Sequence, residues 1–381
     1  MSNFQSLLSS FQDATATNSS SKSIDKGVSN GSSSKSSIKD DISQLYRTSQ
    51  IQSSFKASSN SRNATTEQST KPPIHIAICA TIVNKLHHEE IWKMWLSHHP
   101  RNPSASASIH VHAKIPRDVP NRTWLRSKLI PVSHNPNWND YKIIQAMLSL
   151  SEFSIKDEPG TTHCMMVTES CIPISSLDDL IDTIYSKGVC CSFLDFYGRN
   201  DPGCTRFDEH ACFSIDNIPK DAIHKSLPGW ALFSKDHLQS IIDIKDRLGG
   251  RELFPLFKGV WAPEEVYFPT ALALLGKLHN PKEVVRRSLM WSKWDHSLKG
   301  EEKAHPIEYY DVGEIANIQR EGFIFMRKWK KRIDSNLWRN LVLKRNDTDE
   351  TSNSKRSRNY EVTADEWSRK KIKLKEHDPI K

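Results

Sequence analysis

The sequence has 381 residues and a mass of 43.6 kDa, enough for one large domain or two ordinary ones. It contains no stretch of about 18 apolar residues, and its start lacks the charged and apolar regions of a secretory signal, so neither a transmembrane anchor nor a leader is predicted. The net charge of +8 keeps polyanions, including nucleic acids, among the partners to consider.

Polar segments flank a more apolar body. Residues 1–72 are rich in Ser, Asn, Lys, Thr and Gln and have almost no aromatic or β-branched cluster, so we expect a disordered Ser-rich arm. Residues 346–381 form a basic polar tail with the runs KRSR and SRKKIKLK. Such runs occur in nuclear-localisation or nucleic-acid patches but more often form a solvated tail. The folded domain is therefore predicted over residues 73–345, with no stable nucleic-acid partner.

Strand and helix patterns alternate along this domain. They predict strands over residues 74–83, 108–113, 163–168 and 190–196, and helices over 87–98, 140–153 and 176–186, the last with Ser176 as N-cap. This alternation predicts an α/β fold whose ligand sites usually lie at the carboxyl ends of the strands. The Gly-rich dinucleotide fingerprint and the P-loop are both absent, which disfavours nicotinamide and ATP sites of those types.

Neither a metal site nor a cofactor is predicted. His110 and His112 share one face of a strand but have no third ligand, and none of the seven cysteines has CxxC spacing. Cys204 and Cys212 are candidates for a disulfide across a loop.

The stretch WAPEEVYFPT, residues 261–270, places two carboxylates, Glu264 and Glu265, among residues that favour burial. One interpretation is structural: both lie in the first turn of a helix beginning at Pro263, where negative charge complements the helix dipole. The other is chemical, because partial desolvation raises the pKa of a carboxylate and makes it a better base. From the residues alone, the structural interpretation is favoured.

Seven motifs follow one another between residues 74 and 332: IAICATIV, IWKMWL, SIHVHAK, NWNDYKIIQAMLSL, MMVTESCIPISSLDDL, PEEVYFPTAL and LMWSKW. Their order and spacing resemble the core-2/I-branching enzyme family of glycosyltransferases, in particular its plant-type branch. The resemblance implies a GT-A-like, Rossmann-type fold and inverting transfer of a sugar, usually GlcNAc from UDP-GlcNAc, to a hydroxyl of a glycan or glycoprotein acceptor. Xylosyl and glucuronosyl transfer are alternatives within the same family.

The resemblance also implies roles for individual residues. Glu265 matches the family's general base, which takes the proton of the acceptor hydroxyl, and this match reverses the preference stated above for that residue. Lys328, with Arg327 beside it, matches a late lysine that compensates the charge of the departing diphosphate without a metal. The alternative for these two cations is a helix C-terminus with extended basic side chains.

Two further points concern the diphosphate. The single DxD motif, Asp347 to Asp349, falls in the predicted tail, so metal coordination of the donor is not expected. The arginine that accompanies the lysine in animal members of the family has no clear match, and only Lys303 or His305 is available in that region.

The resemblance further implies that Arg206, Trp230 and Trp291 bind the acceptor, and Glu169, at the end of a predicted strand, is a fourth candidate. These residue types suit the role, since sugars are bound by aromatic faces and by charged groups that fork onto hydroxyls. Each tryptophan is alternatively a core side chain, and Glu169, which follows the strand 163–168, alternatively caps backbone N–H groups.

A hypothesis of a different class is a non-catalytic protein that binds nucleic acid or another polyanion through its basic C-terminal tail. It predicts salt-sensitive binding that disappears when residues 346–381 are removed. The compartment is uncertain, since the missing signal and anchor indicate the cytoplasm whereas the resemblance indicates the Golgi lumen.

Overall fold

The computed structural model describes residues 37–56, 71–198, 217–226, 230–293, 312–329 and 333–343. Residues 1–36 and 57–70 of the predicted arm and all of the predicted tail, residues 346–381, lie outside these ranges. Arg206, Lys303, His305, the DxD motif and the Cys204–Cys212 pair also lie outside them.

The main sheet has six strands: β1 (Ile74–Ile82), β2 (Ala105–Ala113), β3 (His163–Thr168), β5 (Ser192–Phe193), β8 (Leu232–Ser234) and β9 (Val284–Val285). Their order across the sheet is β2-β1-β3-β8-β5-β9. β1 runs parallel to β2 and β3, whereas β8 is antiparallel to both of its neighbours. Strand β1 lies between β2 and β3 and is almost continuously buried, which explains its run of Ile, Ala and Cys.

Two smaller sheets complete the fold. One has the order β10-β11-β4, with β4 (Ile172–Pro173), β10 (Met290–Ser292) and β11 (Phe325–Arg327). The other pairs β6 (Phe196–Gly198) with β7 (His224–Ser226). Because β4 follows directly from the carboxyl end of β3, the three-stranded sheet brings β11 to that end of the main sheet.

The helices are α1 (Ile38–Lys56), α2 (Glu89–Ser97), α3 (Lys142–Asp157), α4 (Leu177–Lys187), α5 (Lys235–Ile242), α6 (Ile244–Arg247), α7 (Pro263–Leu274), α8 (Val312–Arg320) and α9 (Ser335–Val342). Short 3-10 helices occupy Pro116–Asp118, Leu125–Lys128, Lys220–Ala222 and Phe254–Phe257. Helix α4 begins with the predicted N-cap, because the Ser176 hydroxyl accepts from the Asp179 N–H and the Asp179 carboxylate accepts from the Ser176 N–H.

The predicted α/β class is confirmed, but the predicted strand over residues 190–196 is wrong. The chain leaves the main sheet after Phe193 and joins β7 from Phe196 onward, so one apolar run supplies two short strands in different sheets. A continuous apolar run does not show where a strand changes partners.

The prediction that all of residues 1–72 are disordered is wrong for α1. Ile42 of this helix is fully buried, and the Tyr46 hydroxyl donates to the Asp221 carboxylate at 3.0 Å. Asp41 forms an ion pair with Arg251, and α1 packs against α7. The polar composition of the arm hides these few contact residues, because only the folded body provides the surface that they cover.

Candidate active site

Helix α7 presents the two glutamates at its first turn. Pro263 occupies the first helical position, as predicted, and the preceding Ala262 has a left-handed backbone with φ of 48°. The Ala262 N–H donates to the Asn139 side-chain oxygen at 2.6 Å, which ties the start of α7 to the loop before α3. A non-glycine residue held in this conformation carries backbone strain, a feature that clusters at functional sites.

Glu265 is paired with a buried lysine. The Nζ of Lys225, on β7, lies 3.3 Å from Oε2 of Glu265, and the two side chains are only 7% and 16% exposed. Since an isolated charge is costly to remove from water, each of these groups supports the ionised form of the other. The geometry therefore presents a carboxylate that is shielded from bulk water and adjacent to a cation.

The backbone of Glu265 is held by the same strand. Pro269, inside α7, has no N–H to donate to the carbonyl four residues earlier, which is that of Glu265. The Ser226 hydroxyl donates to this carbonyl at 3.2 Å. One turn further along, the Thr270 hydroxyl accepts from the His224 N–H at 3.1 Å, so β7 fixes α7 at two points.

The two glutamates have different environments. Burial raises the pKa of Glu264 to about 7, with a further increase from the neighbouring Glu265 charge, and Arg327 and Lys225 partly oppose the shift. Two adjacent carboxylates that do not share the same proton affinity can act as acid and base in one site. Arg327, at the end of β11, is therefore near enough to the start of α7 for its charge to act on Glu264.

Arg327 and two neighbouring side chains have buried polar atoms that lack hydrogen-bond partners. Its guanidinium lies 5.2 Å from the ring centre of Trp230, and in β10 the residue paired with it is Ser292. Within the part of the chain that the structure describes, Nε of Arg327, Nε1 of Trp230 and Oγ of Ser292 are buried without a hydrogen-bond partner. Buried polar atoms are nearly always satisfied, so this cluster indicates a place for a polar ligand.

Lys328 follows Arg327 in the chain and lies near enough to Glu169 for the two charges to interact. Half-burial lowers the pKa of Lys328, Arg327 lowers it further, and the charge of Glu169 opposes the shift. The backbone explains their proximity, because the N–H of Trp329 donates to the carbonyl of Ser170 at 2.9 Å. The alternative of a helix C-terminus at Lys328 is wrong, since the preceding residues form strand β11.

The predicted acceptor residues differ in their placement. Trp230 is buried beneath Arg327 and does not present an open ring face to solvent. Trp291 is partly buried against the core and is paired with Met326, one position before the Ser292–Arg327 pair, so it lies on the other face of the small sheet. Glu169 stands at the carboxyl end of β3, where the α/β pattern predicted a ligand site.

The structure adds three residues that the sequence did not single out: Lys225, Ser226 and Ser292. Lys225 and Ser226 stand in the mixed polar and apolar stretch AIHKSL, which carries no motif. Ser226 and Ser292 are recognisable only from what they face. Among the residues covered by the structure, no group of three or more His, Cys, Asp and Glu side chains is arranged to hold a metal ion.

The arrangement provides a shielded carboxylate, cations and buried donors without partners in the described residues, carried by helix α7 and strands β7, β10 and β11. These are the kinds of group needed to accept a proton and to neutralise an anionic leaving group. The model of the core-2/I-branching enzyme family matches residues 76–323, roughly two thirds of the sequence. The chain belongs to the core-2/I-branching enzyme family.

This core-2/I-branching family membership identifies the protein as a glycosyltransferase, which uses a nucleotide sugar and a glycan acceptor. The mixed α/β fold is consistent with the GT-A-like fold that the resemblance implied. A search of curated proteins found no match. The family match includes Lys225, Glu264 and Glu265 and ends just before Arg327 and Lys328.

The core-2/I-branching domain is preceded by α1, which lies outside the matched residues yet packs on α7. None of the helices in the described ranges is both long enough and apolar enough to cross a membrane.

Proposed function

We propose that the protein is an inverting glycosyltransferase that transfers GlcNAc from UDP-GlcNAc to a glycan hydroxyl, and that no metal ion takes part. The observation that carries the proposal is the shielded Glu265 carboxylate, paired with Lys225, on a helix whose start also lies near the charge of Arg327. The Ser226 hydroxyl holds the Glu265 backbone carbonyl, and Arg327 belongs to a group of buried donors without partners in the described residues. Family membership supports sugar transfer, and the residues of the cluster support the details of the step.

In this reaction the acceptor oxygen bonds to the anomeric carbon while the bond from that carbon to the diphosphate oxygen breaks. Glu265 accepts the hydroxyl proton as the new bond forms, and attack from the face opposite the diphosphate inverts the anomeric configuration. Lys225, 3.3 Å from the carboxylate, supplies the opposite charge that stabilises its ionised form. Fixing α7 at two points on β7 keeps the carboxylate in position for the proton transfer.

The departing UDP carries negative charge that a poorly hydrated site must compensate. Arg327 and Lys328 provide two positive charges beside each other, and the free Nε of Arg327 and hydroxyl of Ser292 provide hydrogen-bond donors. Glu169, beside Lys328, has the chemistry to bind a sugar hydroxyl at the same edge. Arg206 and Trp291 stay predicted acceptor contacts.

The proposal is tested with the full-length protein in EDTA. UDP-GlcNAc, UDP-xylose and UDP-glucuronic acid are compared for UDP release and for an increase in the melting temperature, and NMR of the product gives the anomeric configuration. We expect UDP-GlcNAc to be turned over and the product to be inverted.

Glu265→Gln is expected to lower turnover by about a hundredfold or more, the range that a general base contributes, while UDP still stabilises the fold. Glu90→Gln is a matched control, because Glu90 is a 59% exposed side chain paired with Lys93 on the surface. Unchanged turnover in Glu265→Gln, or turnover that requires an added divalent ion, would contradict the mechanism.

A further inference from the structure

Trp138 is the most conspicuous apolar side chain on the described surface. It is 80% exposed, more than any other large hydrophobic residue that the structure describes as exposed. Its ring meets that of Trp261 edge to face, with 4.7 Å between the ring centres and 81° between the planes. An exposed tryptophan held in a fixed orientation by another aromatic ring is preorganised to bind a ligand face.

This aromatic pair is joined directly to the candidate active site. Trp261 immediately precedes Ala262 and helix α7, and Asn139, next to Trp138, accepts the 2.6 Å hydrogen bond from the Ala262 N–H. Tyr141 stacks on Phe254 with 6.1 Å between ring centres, which fixes the other side of the same loop. The pair therefore keeps a constant position relative to Glu264 and Glu265.

The size and surroundings of the surface define its ligand. One indole ring offers far less area than the roughly 800 Å² that each partner buries in a standard protein interface. Its chain neighbours are polar, with Asn137 and Lys142 both exposed. A small apolar face among hydrogen-bonding groups matches a pyranose ring, which has an apolar face and a polar rim of hydroxyls.

We propose that Trp138, supported by Trp261, forms an outer acceptor subsite that stacks on a sugar unit beyond the one that receives the transferred sugar. The inference rests on the proposed function and deepens it, because it makes the enzyme select acceptors of at least two sugar units. The reacting sugar lies at Glu265, and the next unit along the glycan extends over the loop 137–142.

The test uses the full-length protein with saturating UDP on an array of glycans of one to six sugar units. Trp138→Ala is expected to weaken binding of the longer glycans about tenfold, the loss of one aromatic stacking contact, and to leave single-sugar glycosides unaffected. Trp138→Phe retains a ring and is expected to stay within about threefold of the parent protein. Val132→Ala, at an exposed position six residues earlier, is the control for loss of apolar surface.

Three outcomes would overturn the proposal. The first is equal binding of longer glycans by Trp138→Ala and the parent protein, and the second is no glycan binding by a parent protein that UDP still stabilises. The third is a loss of binding to phosphatidylcholine and phosphatidylserine vesicles in Trp138→Ala with glycan binding intact, which would assign the ring to a membrane surface. If UDP fails to stabilise the parent protein, the proposed function itself fails, so the two failures are distinguishable.

Discussion

Replacing Lys225 with methionine removes the cation that lies 3.3 Å from the Glu265 carboxylate while nearly preserving the side-chain volume. Because the lysine side chain is only 7% exposed, water cannot easily take its place beside the carboxylate. The substitution therefore tests whether this ion pair is needed both for stability and for the ionised state of Glu265, the proposed base.

The magnitude follows from the separation and the burial. Two unit charges 3.3 Å apart attract each other by about 5 kcal/mol at an effective dielectric constant near 20. Desolvation offsets part of this attraction, but removing one partner leaves the other charge buried, which typically costs about 3 to 5 kcal/mol. We expect Lys225→Met to lower the free energy of unfolding by about 3 kcal/mol.

The assay is urea unfolding at neutral pH of the parent protein, Lys225→Met, Glu265→Gln and the double variant. The pair is expected to show a coupling free energy of about 2 to 4 kcal/mol, so that the double variant is more stable than the sum of the single effects predicts. Turnover of UDP-GlcNAc in Lys225→Met should shift to higher pH, because the carboxylate loses the cation that favours its ionised form.

A coupling free energy below about 0.5 kcal/mol, the value usual for exposed ion pairs, would refute the reasoning. It would mean that water or another group compensates Glu265 in solution. If the two substitutions have additive effects on the free energy of unfolding and the pH profile of turnover is unchanged, Lys225 contributes only to local packing.

Three further predictions concern Glu264 and the docking of helix α1. Since the pKa of Glu264 is raised from 4.5 to about 7 in the fold, the contribution of its protonation to stability is fully present below about pH 4.5 and is lost as the pH rises through 7. Glu264→Gln should therefore remove a fall of about 3 kcal/mol in the free energy of unfolding over that window, and an unchanged pH dependence would contradict the assignment. Ile42→Ala, at a fully buried position of α1, should cost about 2 to 4 kcal/mol, whereas Ile51→Ala, at a 58% exposed position, should cost little; equal effects would argue against docking of α1. Gly276→Ala should also destabilise, because its φ is 69° and the new Cβ would lie 2.9 Å from the backbone of α1, in contrast to Gly160→Ala, which has open space.

The order of short motifs along the chain carried the family resemblance, and the resemblance pointed to Glu265, Arg327 and Lys328 as site residues. In the structure the charge of Arg327 acts on the carboxyl of Glu264. Lys225 was missed because a lysine in the short polar strand β7, with the sequence HKS, carries no motif. Its significance depends on which residue lies opposite, and that residue is 40 positions away on α7.

The roles of the tryptophans also depend on which distant residues surround them in the folded chain. Trp230, Trp261 and Trp291 look alike in sequence, since each stands in a short apolar or aromatic stretch. Burial separates them: Trp230 lies under a guanidinium, Trp291 packs on the core, and Trp261 supports an exposed ring. Trp138 attracted no attention because solvent exposure cannot be deduced from a residue's immediate neighbours.

Local periodicity and turn chemistry determined by themselves the class of the fold, the starts of α4 and α7 and the position of the paired glutamates, because these features depend on residues only a few positions apart. The tertiary structure decided which strands share a sheet, that α1 docks on the body, and that Lys225 faces Glu265. Those features depend on contacts between distant segments. Such contacts stabilise the fold only after the chain has brought the two surfaces together. One short stretch therefore showed where the two glutamates stand, whereas the cation beside Glu265 and the hydrogen bonds that fix α7 come from strand β7, which the sequence analysis did not identify.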